Sequence, residues 1–470
     1  MVIVMKKISA FILVFLIALC SLAVLTSSAS GDFVIEDGVL LSYSGSSTEV
    51  TVPEDVYYIA DGAFRGNTDI RTLNLHSGVM IIGNEAFSAC TALKTINGAD
   101  GVTSVGAYAF ENTPFLVNNK AEFITINNVL VGGNIKGDVS IPDNIGSVSA
   151  YAFSGNTSIT SLSIPESVSE IGEGAFLNCS QLTSVTGGEN LSYIGSLAFY
   201  STAFIKNTQD EFLIMGSDIL VSYNGSSEEV SVPQNIRSIA GGAFYGNRSI
   251  KTVTLPQSVN SVGVRSFMNC TSLEKIGLPE SLVMIEKEAF AKCKGLKEIT
   301  VPKSVNLIGA SAFYGCTSLE AVEYKSSADV SDGIFAECTS LKYVLMNHNI
   351  RTIGDSAFKN CTSLEDIALS DTVNYIADNS FEGADSLTVS AKKDSFAYSA
   401  LSDMGVKVIA SGDANYDGKV NIRDASYVQK YVASIIELTP QEALRAEANF
   451  DGKLNIRDAT HIQKVLAGLA

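Results

Sequence analysis

Two twelve-residue segments near the end of the chain have the residue types and spacing of a calcium-binding loop. The first runs from Asp413 to Asp424, and the second, from Glu447 to Asp458, repeats it 34 residues later. Oxygen donors occupy loop positions 1, 3, 5, 9 and 12, a glycine at position 6 allows a sharp turn, and a lysine at position 7 offers its carbonyl. Calcium takes roughly six to eight hard oxygen ligands, so this spacing wraps the chain around one ion. An Asp/Asn-rich turn would explain a single copy, whereas two copies predict two calcium ions.

The two loops differ at position 1, where the second has Glu447 in place of an aspartate. The extra methylene group is expected to weaken the second site or change how its carboxylate coordinates the ion. The predicted ligands are Asp413, Asn415, Asp417, Lys419, Asn421 and Asp424, then Glu447, Asn449, Asp451, Lys453, Asn455 and Asp458.

Each loop leads into a short predicted helix, over 425–433 and 459–466. No long helix is predicted before the first loop, which distinguishes the pair from ordinary EF-hands. Over 412–470 the sequence resembles a type I dockerin, and the resemblance implies calcium-dependent docking onto a cohesin domain of a scaffoldin, the assembly step of a cellulosome. The partner-reading positions that it implies are Ile422, Arg423, Gln429 and Lys430, and Ile456, Arg457, Gln463 and Lys464. Because these residues are identical in the two copies, we predict two interchangeable binding orientations.

Signals for catalysis are sparse in the rest of the chain. The three histidines, His76, His348 and His461, lie far apart and form no metal-ligand pair of the His-x-x-x-His kind. A Gly-x-Ser-x-Gly nucleophile elbow and a Walker A loop are also absent from the sequence. We therefore predict a protein that is not an enzyme. The alternatives are a carbohydrate-active enzyme with an unrecognised site and a structural spacer.

The elements that precede the loops follow a repeat built on phenylalanine. Within each of three groups the step between phenylalanines is 22 or 23 residues. A repeat of this length, here called a coil, cannot bury its apolar side alone, so successive coils must stack. The phenylalanine column is therefore predicted to be a core ladder. Its members are Phe64, Phe87 and Phe110, then Phe153, Phe176 and Phe199, then Phe244, Phe267, Phe290, Phe313, Phe335, Phe358 and Phe381.

A longer period is superimposed on the coils. The segments 33–53, 123–142 and 212–233 resemble one another, and their starts are 90 and 89 residues apart. Each alternates like a pair of strands around a turn rich in Gly, Ser or Asn. We therefore predict a duplicated module, an inserted strand unit followed by coils, with extra coils in the third copy.

The repeat Ile-x-x-x-Ala-Phe-x-x-Cys-x-x-Leu-x-x-Ile-x-Val-Pro resembles the BspA-like (treponemal-type) leucine-rich repeats of bacterial surface proteins. The resemblance implies an α/β repeat fold, a leucine-rich-repeat solenoid with inserted β units, followed by a small all-α calcium-binding dockerin domain. The expected organisation is a signal peptide over 1–30, the solenoid over 31–385, a strand-helix-strand cap and short linker over 386–411, and the dockerin over 412–470.

Seven cysteines share one repeat position, three residues after the phenylalanine. In-register side chains on parallel coils point the same way, which is a poor arrangement for the torsion of a disulfide. We therefore predict buried free thiols that act as small apolar side chains. They are Cys90, Cys179, Cys270, Cys293, Cys316, Cys338 and Cys361.

Residues that flank the central strand position are expected to face solvent on the open side of the solenoid. In the first half they are mostly Ser and Thr, whereas charge and aromatic variety begin in the second half. We therefore predict contacts with an unidentified protein or glycan ligand there. The candidate residues are Lys275, Glu298, Glu323, Tyr343 and Asp366.

The net charge and the N-terminal segment bear on the partners and the location of the protein. The 470 residues carry a formal net charge of −18, which argues against nucleic acid and anionic membranes as partners. The absence of Trp makes an aromatic cellulose-binding platform less expected without excluding it. Lys6 and Lys7 precede an apolar run over 8–25 and a small polar stretch, the order of a signal peptide cleaved after Ala29 or Ser30. A retained anchor helix is the alternative, and no later segment is apolar enough for membrane insertion. We expect a secreted, extracellular protein attached to a cellulosome at the cell surface.

Overall fold

The computed structural model describes residues 28–346, 349–415, 419–439, 442–443, 446–449 and 453–469. It divides into two units, residues 1–217 and 218–470. In the part of the chain described, no helix has the length and apolarity needed to cross a bilayer. The basic residues and the apolar run of the predicted signal peptide lie outside the described residues.

The first unit is built from short strands and two short helices. Its strands are β1 (Ser28–Ser30), β2 (Phe33–Glu36), β3 (Val39–Tyr43), β4 (Glu49–Thr51), β5 (Tyr58–Ile59), β6 (Thr72–Asn74), β7 (Ile81–Ile82), β8 (Thr95–Asn97), β9 (Ser104–Val105), β10 (Ile124–Ile126), β11 (Val129–Gly132), β12 (Gly137–Ser140), β13 (Ser147–Val148), β14 (Ile159–Ile164), β15 (Glu170–Ile171), β16 (Ser184–Gly187), β17 (Tyr193–Ile194) and β18 (Phe212–Met215). Its helices are α1 (Pro114–Val117) and α2 (Ala203–Asn207).

The second unit continues the same pattern with more coils. Its strands are β19 (Ile219–Tyr223), β20 (Glu229–Ser231), β21 (Ser238–Ile239), β22 (Thr252–Thr254), β23 (Ser261–Val262), β24 (Lys275–Gly277), β25 (Met284–Ile285), β26 (Glu298–Val301), β27 (Leu307–Ile308), β28 (Ala321–Tyr324), β29 (Tyr343–Met346), β30 (Thr352–Ile353), β31 (Asp366–Leu369), β32 (Tyr375–Ile376), β33 (Thr388–Ala391) and β34 (Lys407–Ala410). Its helices are α3 (Phe396–Asp403), α4 (Ile422–Val432) and α5 (Ile456–Leu466).

Nearly every coil contributes two strands, which stack in parallel register with the strands of its neighbours. On one side Leu73 of β6 pairs with Val50 and Ile96, as the Leu-x-x-Ile-x-Val pattern predicts. On the other side Ile59 pairs with Ile82 in a second column of strands that our sequence reasoning missed. A β-branched residue five positions before nearly every phenylalanine is the signal that could have found it. The predicted inserted units are confirmed as antiparallel hairpins in the first two modules, β2–β3 and β10–β11.

The coils themselves contain turns where an α/β repeat would place helices, so the solenoid is confirmed but its predicted α/β character is wrong for the coils. The residue two positions after the phenylalanine has positive φ in every coil, which ends any helical path at once. Glycine or asparagine, which tolerate this conformation, fill most of these sites. They are Gly66, Ala89, Asn112, Gly155, Asn178, Ser201, Gly246, Asn269, Lys292, Gly315, Glu337, Asn360 and Gly383.

The phenylalanine column forms the predicted core ladder. Phe290 is fully buried, and its ring stacks on Phe267 at 5.2 Å and on Phe313 at 5.3 Å between centroids, with interplanar angles of 9° and 4°. The same stacking runs through the second unit from Tyr223 to Phe381.

The position three after the phenylalanine distinguishes the coils of a module. All seven predicted cysteines are free and buried, which confirms our interpretation. Each thiol donates a hydrogen bond of 3.0–3.2 Å to the phenylalanine carbonyl of the preceding coil, as Cys90 does to Phe64. Burial raises the pKa of Cys90 and Cys179 to about 11, so these thiols stay protonated and unreactive at neutral pH.

The first and last coils of a module carry other residues at this position. First coils have asparagine: Asn67 donates to the carbonyl of Gly45 in the preceding hairpin at 3.0 Å. The last coils of the first two modules have threonine. Thr113 donates to the Phe110 carbonyl and caps α1, which leads out of the coil. The residue type at one position therefore marks the beginning, continuation and end of a module.

A strand, a helix and a strand follow the last coil, as predicted. Ser395 caps α3 through its hydroxyl, which accepts from the Tyr398 amide at 3.2 Å. Parallel pairing of β33 with β34 extends the sheet β26-β28-β29-β31-β33-β34 by a strand outside the repeat. At the other end of the chain, β1 pairs with β2, so cleavage after Ala29 or Ser30 would remove most or all of β1.

Candidate functional site

The segment that contains the two predicted calcium loops has a small core shared by α4 and α5. Ala425 and Val428 on α4 are fully buried, as are their equivalents Ala459 and Ile462 on α5. Half-buried residues such as Tyr427 pack against this cluster. Matching side chains 34 residues apart thus occupy matching places in one core, which agrees with the repeat in sequence.

The last residue of each predicted loop fixes the start of its helix. Asn421 is the N-cap of α4 and accepts from the Arg423 amide at 2.9 Å, while Asp424 accepts from the Asn421 amide at 2.7 Å through Oδ2. Asn455 and Asp458 repeat this capping box at the start of α5. Capping boxes satisfy two helix-end amides at once. The helices therefore begin within the last three loop positions, at Ile422 and Ile456, three residues before the predicted starts at 425 and 459.

The same aspartates also fasten the beginning of each loop. Oδ1 of Asp424 accepts from the Asn415 amide at 3.1 Å, and Oδ1 of Asp458 accepts from the Ala448 and Asn449 amides at 3.0 and 3.2 Å. Loop positions 2 or 3 and 12 are therefore held together. The two ends of each loop thus lie close together, as coordination of one ion by both ends of the loop requires.

The donors described fit a hard divalent cation. Asp413 and Glu447 at position 1 are 3% and 7% exposed, and Asp424 and Asp458 at position 12 are fully buried. Burying carboxylates costs free energy unless charge or hydrogen bonds compensate, and oxygen-only donors suit calcium. Among the residues described, no group of three or more His, Cys, Asp or Glu side chains is placed to hold a metal ion.

Two of the predicted ligands, Asp417 and Asp451 at position 5, lie outside the described residues. The predicted carbonyl ligand of Lys419 accepts from the Asn421 side-chain amide at 3.0 Å, and Asn455 donates to the Lys453 carbonyl in the same way. A carbonyl oxygen has a second lone pair, which is compatible with a metal ligand.

The predicted partner-reading residues lie on the outer faces of α4 and α5. Ile422 and Ile456 are 58% and 51% exposed, which is unusual for large apolar side chains. The other six predicted residues, Arg423, Gln429, Lys430, Arg457, Gln463 and Lys464, are exposed as well.

The predicted set leaves out two exposed residues on the same faces. Ser426 and Thr460 lie one helical turn after Ile422 and Ile456, and their hydroxyls donate to the isoleucine carbonyls at 3.0 and 2.9 Å. The four-residue spacing along the helix would have revealed them.

The solenoid candidates do not all share one surface. The register places Glu298, Tyr343 and Asp366 in a row across the sheet, while Glu323 lies in a neighbouring row. Lys275 belongs to the preceding sheet, β20-β22-β24. Glu323 accepts from Thr300 and pairs with Lys325, both at 3.1 Å.

The predicted exposure of Asp366 is wrong, since this residue is 2% exposed. In register it lies between Tyr343 and Thr388, and Thr388 is also buried. Lys275 and Glu298 are exposed, while Glu323 and Tyr343 are half-buried.

A row of alternating charge runs beside these candidates. Lys251, Lys297 and Lys342 pair with glutamates of the preceding coils at 2.8, 2.9 and 2.7 Å. Glu274 and Glu320 each lie between two lysines of this row, and their pKa values are lowered, first by the hydrogen bond from the paired lysine. Opposite charges in register favour the observed stacking of the coils.

The sequence matches two families. Residues 38–130, 132–212, 221–342 and 322–398 match the family described as BspA type leucine rich repeat region, which covers more than half of the chain. Residues 411–467 match the dockerin type I domain. No curated protein matches the chain.

Solved structures of bacterial leucine-rich repeat proteins are similar. A leucine rich cell surface protein from Faecalibacterium prausnitzii is 22% identical, with 79% of this chain and 96% of that chain covered and a TM-score of 0.34. The pneumococcal vaccine antigen PcpA is 17% identical, with coverage of 82% and 96% and a TM-score of 0.35. A leucine-rich repeat protein from Bacteroides ovatus is 22% identical, with coverage of 82% and 97% and a TM-score of 0.29.

Proposed function

Because this chain belongs to the BspA-type leucine-rich repeat family and carries a type I dockerin domain, we propose that it is an exported, non-catalytic protein of a cellulosome. In this proposal the dockerin, over 412–470, binds a cohesin of a scaffoldin. The solenoid, over 31–385 with its cap and linker over 386–411, binds a protein or cell-wall ligand. The observation that carries the docking role is the exposed face of α4, repeated on α5.

The two faces support binding in either of two orientations. Ile422, Arg423 and Lys430 on α4 match Ile456, Arg457 and Lys464 on α5 in type and exposure. Both helices start from the same capping box and pack on the same small core. A rotation that exchanges the helices would present the same side chains to one cohesin.

Three variants test this proposal against an immobilised type I cohesin in calcium. The first replaces Ile422, Arg423 and Lys430 with alanine, the second replaces the matching residues of α5, and the third combines both sets. Each single-face variant should lose about twofold in affinity, because one of two equivalent orientations remains. The combined variant should lose at least about hundredfold.

The single-face variants are matched controls for each other, since both remove exposed side chains from equivalent positions. Far-UV circular dichroism in calcium verifies that all three variants fold. If one single-face variant lost all binding while the other kept it, the dockerin would use one orientation, and the symmetric proposal would be wrong.

We propose that two calcium ions hold the docking faces in place, one in each loop. The ligands would be the buried carboxylates of Asp413, Asp424, Glu447 and Asp458 with the neighbouring loop oxygens, including Asp417 and Asp451. Bound cations would compensate the buried negative charge and fix where α4 and α5 begin. The chain's own capping boxes then orient Ile422 and Ile456 outward.

For the solenoid we propose recognition through Lys275, Glu298, Glu323 and Tyr343. Asp366 is dropped because it is buried. A pull-down of the mature chain with cell-wall fractions, with and without alanine at these four residues, tests the idea. If the mature chain and its alanine variant recovered every bound component equally, the proposed recognition surface would be wrong.

A further inference from the structure

The strongest unassigned feature is a cavity in the first unit, beside two tyrosines in strained backbone positions. The residue two positions before the phenylalanine has positive φ in nearly every coil, a conformation that favours glycine. Four of these residues are glycine and eight are not, and Tyr108 and Tyr151, with φ values of 55° and 58°, belong to the second group. The positive φ is therefore a property of the repeat, whereas the aromatic rings at two of these positions are particular to this boundary.

The two tyrosines meet where the first module ends and the second begins. They are 43 residues apart in sequence, yet their rings stack with centroids 4.5 Å apart and an interplanar angle of 17°. Tyr108 is 40% exposed, and the Tyr151 hydroxyl donates to Glu173 at 2.8 Å. The aromatic pair is thus fixed on one side and open to solvent on the other.

A cavity of about 320 Å³ adjoins the pair, here called the tyrosine cavity. Its walls combine apolar groups from Leu116, Val117 and Val131 with the carboxylate-bearing residue Glu111. Val117 is 63% exposed, so the apolar wall extends to the surface. The cavity is large enough for one long side chain and too small for a folded element.

A serine hydroxyl also lines this cavity. Ser149 is 7% exposed and, among the residues described, its hydroxyl makes no hydrogen bond. A hydroxyl can both donate and accept, so it is available to a polar group that enters the cavity. The first coils of the other two modules have Ala60 and Ala240 at this repeat position, so the fold itself does not require the hydroxyl.

Negative charge surrounds the pair. Burial raises the pKa of Tyr108, and the nearby carboxylates of Glu111, Glu173 and Glu85 raise it further. Of these three, Glu85 is paired with Arg65 at 2.6 Å. A cation near the ring would therefore meet both an aromatic face and acidic groups.

We propose that the tyrosine cavity binds one arginine or lysine side chain from a basic segment of a partner protein. The aliphatic stem would pack against Leu116, Val117 and Val131, since such stems bury while their charged ends stay polar. The cationic end would lie against the Tyr108 ring, near Glu111 and the Ser149 hydroxyl. The surplus of acidic residues supports this choice. Residues 412–470 have a net charge of −1, from eight acidic and seven basic side chains, and residues 1–30 have +2, so residues 31–411 carry −19 of the total of −18. The proposal rests on the solenoid's role in recognition and is independent of the dockerin.

The test uses the full mature chain and a fluorescein-labelled peptide, Gly-Gly-Arg-Gly-Gly, with a matched peptide in which neutral citrulline replaces arginine. Fluorescence polarisation at low salt should show at least about tenfold weaker binding of the citrulline peptide. The Tyr108→Leu/Tyr151→Gly variant should lose about tenfold for the arginine peptide, and Ser149→Ala about threefold.

These substitutions are chosen so that folding is retained. Leu197 and Gly242 occupy the positions of Tyr108 and Tyr151 at the next module boundary, and alanine is the natural residue in place of Ser149 in the other modules. Tyr375→Ala, at a tyrosine that is 55% exposed elsewhere, is the control and should bind normally.

Equal binding of the two peptides, or unchanged binding by the double variant, would overturn the proposal. Displacement of the arginine peptide by cellohexaose would also overturn it, since the rings would then hold a neutral sugar. Cohesin binding by the same variants should be unchanged, so failure at the tyrosine cavity is separable from failure of the docking function. Variants of Lys275, Glu298 and Tyr343 separately test the other solenoid surface.

Discussion

Removing one ring from the phenylalanine ladder should destabilise the solenoid strongly. Phe290 is fully buried and stacks on a ring on both sides. Truncation to alanine removes the transfer free energy of the ring, leaves a cavity between two rigid coils and breaks two aromatic pairs, in total about 4 kcal/mol. Phe290→Leu keeps most of the volume and should cost about 1.5 kcal/mol.

Urea unfolding followed by far-UV circular dichroism measures both values, because the chain has no Trp for fluorescence. Tyr375→Ala is the control: its side chain is 55% exposed, so the free energy of unfolding should change by less than about 0.5 kcal/mol. Because each coil contacts only its neighbours, amides near Phe290 should lose the most protection from hydrogen exchange. A loss below about 1.5 kcal/mol for Phe290→Ala would show that the ladder does not carry the core.

Four further outcomes follow from other features. Titration calorimetry should find two calcium ions per chain and one per chain in the Asp424→Ala variant. The Glu447→Asp variant should bind calcium more tightly at the second site. Cohesin binding that survives EDTA would contradict the proposed role of calcium in docking. A thiol reagent should detect no cysteine in the native mature chain and seven after denaturation. Because burial raises the pKa of Cys90 and Cys179 to about 11 and that of Cys270 to about 12, the free energy of unfolding should fall as pH rises above about 9. Lys297→Glu places three glutamates in a row with Glu274 and Glu320, so Tm should drop at low salt and recover at about 1 M NaCl. A decrease that persists in high salt would rule out electrostatics.

The features that recur at a fixed spacing were predicted correctly from the sequence. A 22- or 23-residue step fixed the ladder from Phe64 to Phe381, and one shared repeat position correctly indicated that Cys90 and its counterparts are buried free thiols. The paired loops likewise indicated that a helix follows each loop, but the predicted starts at 425 and 459 were three residues late. The helices begin at Ile422 and Ile456, because Asn421 and Asn455 are loop residues and N-caps at once.

The features that could not be predicted from the sequence depend on residues that are neighbours in space but distant in the chain. The second strand column consists of two-residue strands such as Tyr58–Ile59, too short to show an alternating pattern. The burial of Asp366 depends on Tyr343 and Thr388 in adjacent coils. The stacking of Tyr108 on Tyr151 spans a module boundary, where the 23-residue step gives no register.

The thiol hydrogen bonds have a consequence for how such a gene can change in length. Each cysteine thiol donates to a phenylalanine carbonyl 25 or 26 residues earlier. Within the run of five cysteine coils, the phenylalanine carbonyl of each of the first four accepts from the cysteine of the next coil. Inserting or deleting one whole repeat between such coils leaves every remaining interface as it was. The third module contains five consecutive cysteine coils, whereas the first two have one each. Adding coils by unequal recombination is therefore neutral for packing in the middle of a module. At module ends such additions are restricted, because the first coil has asparagine and the last coil of the first two modules has threonine at this position.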